Sequence, residues 1–166
     1  MSAMKDTKRH TRTGDERGFT LLIAALVSSL VLALGASIFQ IAQKQVTLSS
    51  LSRDSQFAFY AADTGAECAL YWDFRHQLFP TTTPETANLS CDEDAAVTTS
   101  SSVGSTVLSS FQFEANGYCV DVYVEKTLVQ PGNNIRTVVH ADGFNTSCEA
   151  IATSPRALQR SVELHY

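Results

Sequence analysis

Gly18-Phe19-Thr20-Leu21-Leu22-Ile23 opens a run of Leu, Ile, Val, Ala and Phe that carries no charged side chain from residue 19 to residue 42. At ~1.5 Å rise per residue, a helix of that length crosses a hydrocarbon core of roughly 30 Å with some tilt. Its polar members are Thr20, Ser28, Ser29, Ser37 and Gln40. A membrane helix accommodates these, because a hydroxyl bonds back to a carbonyl one turn earlier and small residues let helices approach. The alternative is a buried helix of a soluble protein, for which the run is unusually long.

Upstream, Lys5, Lys8, Arg9, Arg12 and Arg17 outnumber Asp6, Asp15 and Glu16, although the whole chain has a formal net charge of −5. The excess of acid therefore lies beyond the apolar run. A basic near flank and an acidic far side predict a single pass with the flank in the cytoplasm and residues 43–166 outside. The acidic far part also argues against nucleic-acid binding, which needs clustered Lys and Arg to neutralise phosphates. A secretory signal would have a shorter apolar core followed by a small-residue cleavage site. Here the core is too long, and the small residue, Gly18, precedes it.

That inverted order, in Asp15-Glu16-Arg17-Gly18-Phe19-Thr20-Leu21-Leu22, resembles the type IV prepilin signature. The resemblance implies that a prepilin peptidase cuts after Gly18 on the cytoplasmic side and methylates the new amino terminus at Phe19. Residues 1–18 would then be a leader, with Arg17, Gly18 and Phe19 the processing residues. Phe19, Thr20, Leu21, Leu22 and Ile23 would begin the helix that serves first as membrane anchor and then as filament core. A second stretch, Phe57-Ala58-Phe59-Tyr60-Ala61-Ala62-Asp63-Thr64-Gly65, is similar to a segment of PilX-type minor pilins, with Asp63 where that group usually has Glu. The two matches cover residues 17–68; the rest resembles the family only in layout. One departure stands out. Counting from Phe19, type IV pilins usually carry Glu at the fifth residue, where this chain has Ile23.

After the span no helix breaker occurs before Pro80. Leu51, Ser55, Ala58, Ala62, Gly65, Ala69 and Trp72 recur at helical spacing, while Arg53, Asp54, Asp63, Glu67 and Asp73 fall off that stripe. We therefore predict one helix over residues 19–75, its membrane part at 19–42 and its continuation at 43–75 presenting small residues to a sheet. A break near Ser49-Ser50 is the alternative. Pro80, Pro84 and the Thr/Ser-rich residues up to 110 read as a loop. From residue 111 the period becomes two. Phe111 and Phe113 precede a hairpin turn at Asn116-Gly117, and Val120, Val122 and Val124 alternate with polar residues. Residues 135–142 form a third strand, and Leu158, Val162, Leu164 and Tyr166 mark the inward face of a fourth, interrupted by Arg160. The expected fold is α+β, a long helix packed on a four-stranded antiparallel sheet over residues 111–166, like a pilin head.

Four cysteines, Cys68, Cys91, Cys119 and Cys148, all lie beyond the span, which suits two disulfides in an exported domain. Three connectivities are possible. Cys91 most simply ties the loop to Cys68 at the helix end, leaving Cys119 and Cys148 within the strand region. No enzyme is expected. His76, His140 and His165 show no ligand spacing, and no nucleophile or nucleotide-binding fingerprint occurs. No metal or cofactor is expected either: Asp92-Glu93-Asp94 lacks the glycine and distal Glu of an EF-hand calcium loop and reads as a solvated acidic loop. Asn88-Leu89-Ser90 and Asn145-Thr146-Ser147 fit the glycosylation sequon, a triplet that arises readily by chance.

The resemblance implies a minor pilin of a type IV pilus, with a role in assembly, initiation or the pilus tip. Its partners would be other pilins or pseudopilins through the N-terminal helix, the prepilin peptidase, an inner-membrane assembly platform and membrane lipid. It would pass from the bacterial inner membrane to an extracellular pilus. A type II secretion pseudopilin shares the signature, and a membrane-tethered, adhesin-like binding module is the rival from another class.

Overall fold

A computed structural model describes residues 16–132 and 134–166, without the side chains of Glu16 and Arg17. Residues 1–15, most of the expected leader, lie outside the described residues. The chain divides into two compact units, residues 1–48 and residues 49–166.

A helix, α1, runs over Glu16–His76, 61 residues without interruption. It starts before the expected residue 19, since Glu16 and Arg17 are good helix formers and the single Gly18 lowers propensity without breaking the hydrogen-bond ladder. In the first unit its side chains are exposed from residue 18 onward. Ser29 Oγ donates to the Leu26 carbonyl at 2.8 Å and Ser37 Oγ to the Ala33 carbonyl at 2.9 Å, so these hydroxyls are satisfied within the helix.

The second unit is an α+β layer. Its main sheet is antiparallel, in the order β3-β4-β5-β6-β7: β3 Thr99–Val103, β4 Thr106–Ala115, β5 Tyr118–Val129, β6 Asn134–Phe144 and β7 Gln159–His165. A separate two-stranded hairpin joins β1, Asn88–Cys91, to β2, Asp94–Val97. The sheet therefore has five strands rather than the expected four, and strands occupy much of the expected loop at 76–110. The reason is lateral pairing of hydroxyls. Thr99 Oγ1 meets Ser110 Oγ at 3.0 Å and Ser100 Oγ meets Ser109 Oγ at 2.8 Å across β3 and β4. An edge strand with little burial needs no apolar alternation, so a Ser/Thr run in that place carries no period-two signal. The Asn116-Gly117 turn forms as expected, with φ of 51° and 80°, and Asp92-Glu93 makes a second turn of that kind at 49° and 67°.

The inner face of the sheet is built in cross-strand rows. Ser109, Val124, Val139 and Leu164 lie opposite one another, as do Phe111, Val122, Ala141 and Val162. Against them α1 buries Ala58, Ala61, Ala62, Gly65, Ala66 and Ala69. The stripe is shifted from the expected one, since Leu51 is exposed and Ser55 and Trp72 are half-buried. Arg160 does share the face of Val162 and Leu164. Its Nε donates to Ser55 Oγ at 2.7 Å, a polar finish to an apolar row.

Asp73, placed off the helix stripe by sequence, is buried. Lys126 Nζ donates to its Oδ1, and the Tyr166 hydroxyl donates to its Oδ2 at 2.9 Å. In the sheet Lys126 stands opposite Thr137, which exchanges backbone hydrogen bonds with Tyr166 at 2.8 and 3.0 Å. Burial near the tyrosine's hydroxyl, then its bond to the Asp73 carboxylate, push the Tyr166 phenol well above its usual range, so it remains a donor.

Two glycines set the distance between helix and sheet. A Cβ on Gly65 would lie 2.5 Å from Val120 Cγ1 and 3.0 Å from Val122 Cγ2. A Cβ on Gly143 would run into the Ala58 carbonyl oxygen and the Ala62 nitrogen, the helix backbone itself. Side-chain methyls can rotate away and a helix backbone cannot. Gly143→Ala is therefore expected to cost about 3 kcal/mol or more, the upper end for overpacking, and Gly65→Ala about 1–2 kcal/mol. Urea unfolding of the full chain in detergent measures both; an equal or smaller loss at position 143 contradicts the close contact.

Candidate functional site

Among the described residues, α1 is the one helix long and apolar enough to cross a membrane. Its apolar side chains between residues 19 and 41, Phe19, Leu21, Leu22 and Ile23 among them, are exposed. Hiding each such side chain from water contributes about 1.5–3 kcal/mol, so this segment is suited to lipid or to other apolar helices. Thr20 belongs to the same exposed stretch. Gly18 differs from Gly65 and Gly143: its position is exposed, and a Cβ there would meet nothing within 4 Å among the described residues, so their packing does not require glycine at 18.

The cysteines pair as Cys68–Cys91 and Cys119–Cys148, the connectivity anticipated from their placement. The first ties β1 to α1, beside a hydrogen bond from Trp72 Nε1 to the Ser90 carbonyl at 3.1 Å. The second ties the start of β5 to a short 3-10 turn, Cys148–Ala150. There the Cys119 N–H donates to the Thr146 carbonyl at 2.7 Å and the Cys148 N–H to Glu114 Oε1 at 2.8 Å.

The acidic triplet has a structural task. Asp94 Oδ2 accepts from the Glu114 N–H at 2.9 Å, and Asp92 Oδ2 accepts from the Asn116 N–H at 3.1 Å. Two carboxylates, each through its Oδ2, thus satisfy backbone donors at the end of β4 and in the turn after it. Asn145, in the second sequon, is likewise engaged. Its Oδ1 accepts from the Leu158 N–H at 2.7 Å and its Nδ2 donates to the Arg156 carbonyl at 3.2 Å.

The histidines separate. His76 stacks near Trp72, ring centroids 4.5 Å apart, at the end of α1. His140 and His165 come together on the outer face of the sheet, because His140 lies directly opposite Glu163 in the β6–β7 register. His140 Nε2 is 3.1 Å from Asp142 Oδ1, and its Nδ1 is 3.2 Å from Glu163 Oε2. His165 Nε2 is 2.7 Å from Glu163 Oε1, and Ser161 Oγ donates to Asp142 Oδ1. Hydrogen bonds from His165 and then His140 hold the Glu163 carboxyl below its usual range. Sequence reading missed this group. Its signal was the alternation His140/Asp142 and Ser161/Glu163/His165, which becomes a cluster only once the register is known. The contacts form a chain, in which both nitrogens of His140 and Nε2 of His165 each meet a different carboxylate oxygen, and no three His, Cys, Asp or Glu among the described residues are arranged to hold a metal ion.

No protein-family model, curated protein or solved structure matches the chain.

The first disulfide closes a loop with a sequence separation of 23. Replacing Cys68 and Cys91 together by serine is expected to lower stability by about 3 kcal/mol, the loop-closure entropy for that length. Hydrogen exchange should report the loss first in β1 and β2, with β4 to β6 still protected. Unchanged protection of the hairpin contradicts its dependence on the tether.

Proposed function

We propose that the chain is a minor pilin of a type IV pilus, a structural subunit acting in assembly or at an end of the fibre. The observation that carries this reading is the pairing of Gly18 with the segment it precedes. Among the described residues the glycine packs against nothing, and residues 19–42 that follow form an exposed, uncharged stretch of helix. A peptidase that must accommodate the residue before the scissile bond supplies a reason for glycine that the fold does not. On this reading Arg17, Gly18 and Phe19 are processing residues, and lipid is the first partner of the helix. Other pilins replace lipid as the subunit leaves the inner membrane through its assembly platform. The two disulfides suit a head domain that works outside the cell.

Ile23 bears on where in the fibre such a subunit sits. In an apolar helical core the ammonium of a processed neighbour needs a carboxylate. A buried charge deprived of its partner costs on the order of 3–5 kcal/mol. Ile23 offers only hydrocarbon, which favours a place where no neighbour depends on that pair, such as the tip. Quantifying the subunit against the major pilin in sheared, purified fibres tests this. The wild type is expected to be scarce and confined to an end, and Ile23→Glu to incorporate in more copies. An acid at the centre of a span costs near 3 kcal/mol on insertion scales and less toward its edge, so the variant should still insert. A wild-type chain nearly as abundant as the major pilin and spread along the fibre would overturn the end placement.

A further inference from the structure

We propose that the outer face of β6 and β7 carries a proton-operated latch, in which His140 clamps the edge strand β7 when its ring bears two protons and loosens it when one is lost. The geometry is specific. Both ring nitrogens lie within hydrogen-bond distance of carboxylate oxygens, Nε2 at 3.1 Å from Asp142 and Nδ1 at 3.2 Å from Glu163. An ionised carboxylate only accepts, and a neutral imidazole has one donor and one acceptor. The neutral ring therefore satisfies one of these contacts and sets a lone pair against the other carboxylate. The cation satisfies both, one of them across the strand boundary.

Other polar and charged groups face the ring. From β5, Tyr123 lies beside the imidazole with ring centroids 6.4 Å apart, flanked on its own strand by Asp121 and Glu125. Burial, then Asp121 and Asp142, raise the Tyr123 phenol above its usual range, so it is neutral wherever imidazole titrates. From β4, Gln112 Nε2 donates to Asp121 Oδ1 at 2.6 Å. β6 itself adds Asp142 and, further along, Arg136; β7 adds Glu163 and His165. Acid thus predominates around His140.

β7 is also an edge strand with modest burial. It pairs only with β6, and its inward Val162 and Leu164 are half-buried. The sign follows from the groups involved. Histidine is the side chain that changes charge between about pH 5 and 8, so the clamp weakens as pH rises through that range. At the acid end it needs the Glu163 carboxylate, whose lowered range keeps it charged below the pH at which an ordinary glutamate protonates. The latch is closed between those limits.

Hydrogen exchange of the full chain in detergent at pH 5.5 and 7.5, corrected for intrinsic rates, tests the proposal. Opening of β7 is expected to be about two- to fivefold more frequent at pH 7.5, the range that an exposed ion pair supports, with β4 and β5 unchanged. His140→Gln should abolish the difference, and His165→Gln should retain it. Should His140→Gln not fold, nitrogen-15 shifts of the wild-type His140 ring at pH 5.5 decide. Two protonated nitrogens, with couplings to Asp142 and Glu163, support the latch. A neutral ring, equal β7 protection at both pH values, or a difference that persists in His140→Gln overturns it.

Discussion

The contact on which the rest of the second unit depends is the one between the Gly143 backbone and the helix backbone at Ala58 and Ala62. It is possible because α1 presents Ala58, Ala61, Ala62, Gly65, Ala66 and Ala69 to the sheet, so the two layers meet with almost no side chain between them on the helix side. The apolar volume is supplied from the strands instead, by Val120, Val122, Val124 and Val139 and by Phe111 and Phe113. Such an interface tolerates little sliding. A shift of one residue in β6 would replace Gly143 at the contact by Asp142 or Phe144 and turn every inward side chain outward. The remaining ties act at the borders of this contact: Lys126, Asp73 and Tyr166 in one row, Arg160 and Ser55 in another, and Cys68–Cys91 holding the β1–β2 hairpin to the helix.

How much of this could be read from the residues depended on whether the signal was local. Helix α1 was legible because an uninterrupted apolar run and a stripe of small residues both have the helical period and no proline intervenes. The Asn116-Gly117 hairpin was legible because the dipeptide itself accepts positive φ. Strand β3 was not, since it is held by pairings between its hydroxyls and those of β4 rather than by apolar alternation. Strands β1 and β2 were not, since at four residues each they bury only Leu89, Cys91 and Ala96 and lean on the Cys68–Cys91 tether. Asp73 looked like a solvent-facing charge because its partners, Lys126 and Tyr166, lie far along the chain. The outer-face group of His140, Asp142, Glu163 and His165 was hidden for the same reason: histidines without ligand spacing in sequence became neighbours through the β6–β7 register. Gly18 presents the opposite case, a residue conspicuous in the sequence for which packing among the described residues supplies no role.

That contrast shapes the functional proposal. Glycines at 65 and 143 are accounted for by the layer contact, whereas Gly18 and Ile23 lie in the part of α1 whose side chains are exposed. If the chain is a pilin, their explanation is in the membrane and in the fibre, and α1 has two tasks. One part carries the sheet, with backbone against backbone, and on that proposal the other would meet lipid and then neighbouring subunits. The most direct measurement is the intact mass of the chain recovered from sheared surface fibres and from the membrane, for wild type and for Gly18→Val. The account predicts a wild-type chain in the fibres that begins at methylated Phe19 and carries both disulfides, and a Gly18→Val chain that keeps residues 1–18 and stays in the membrane. A wild-type chain that retains those residues, or a Gly18→Val chain processed and assembled like wild type, would contradict it.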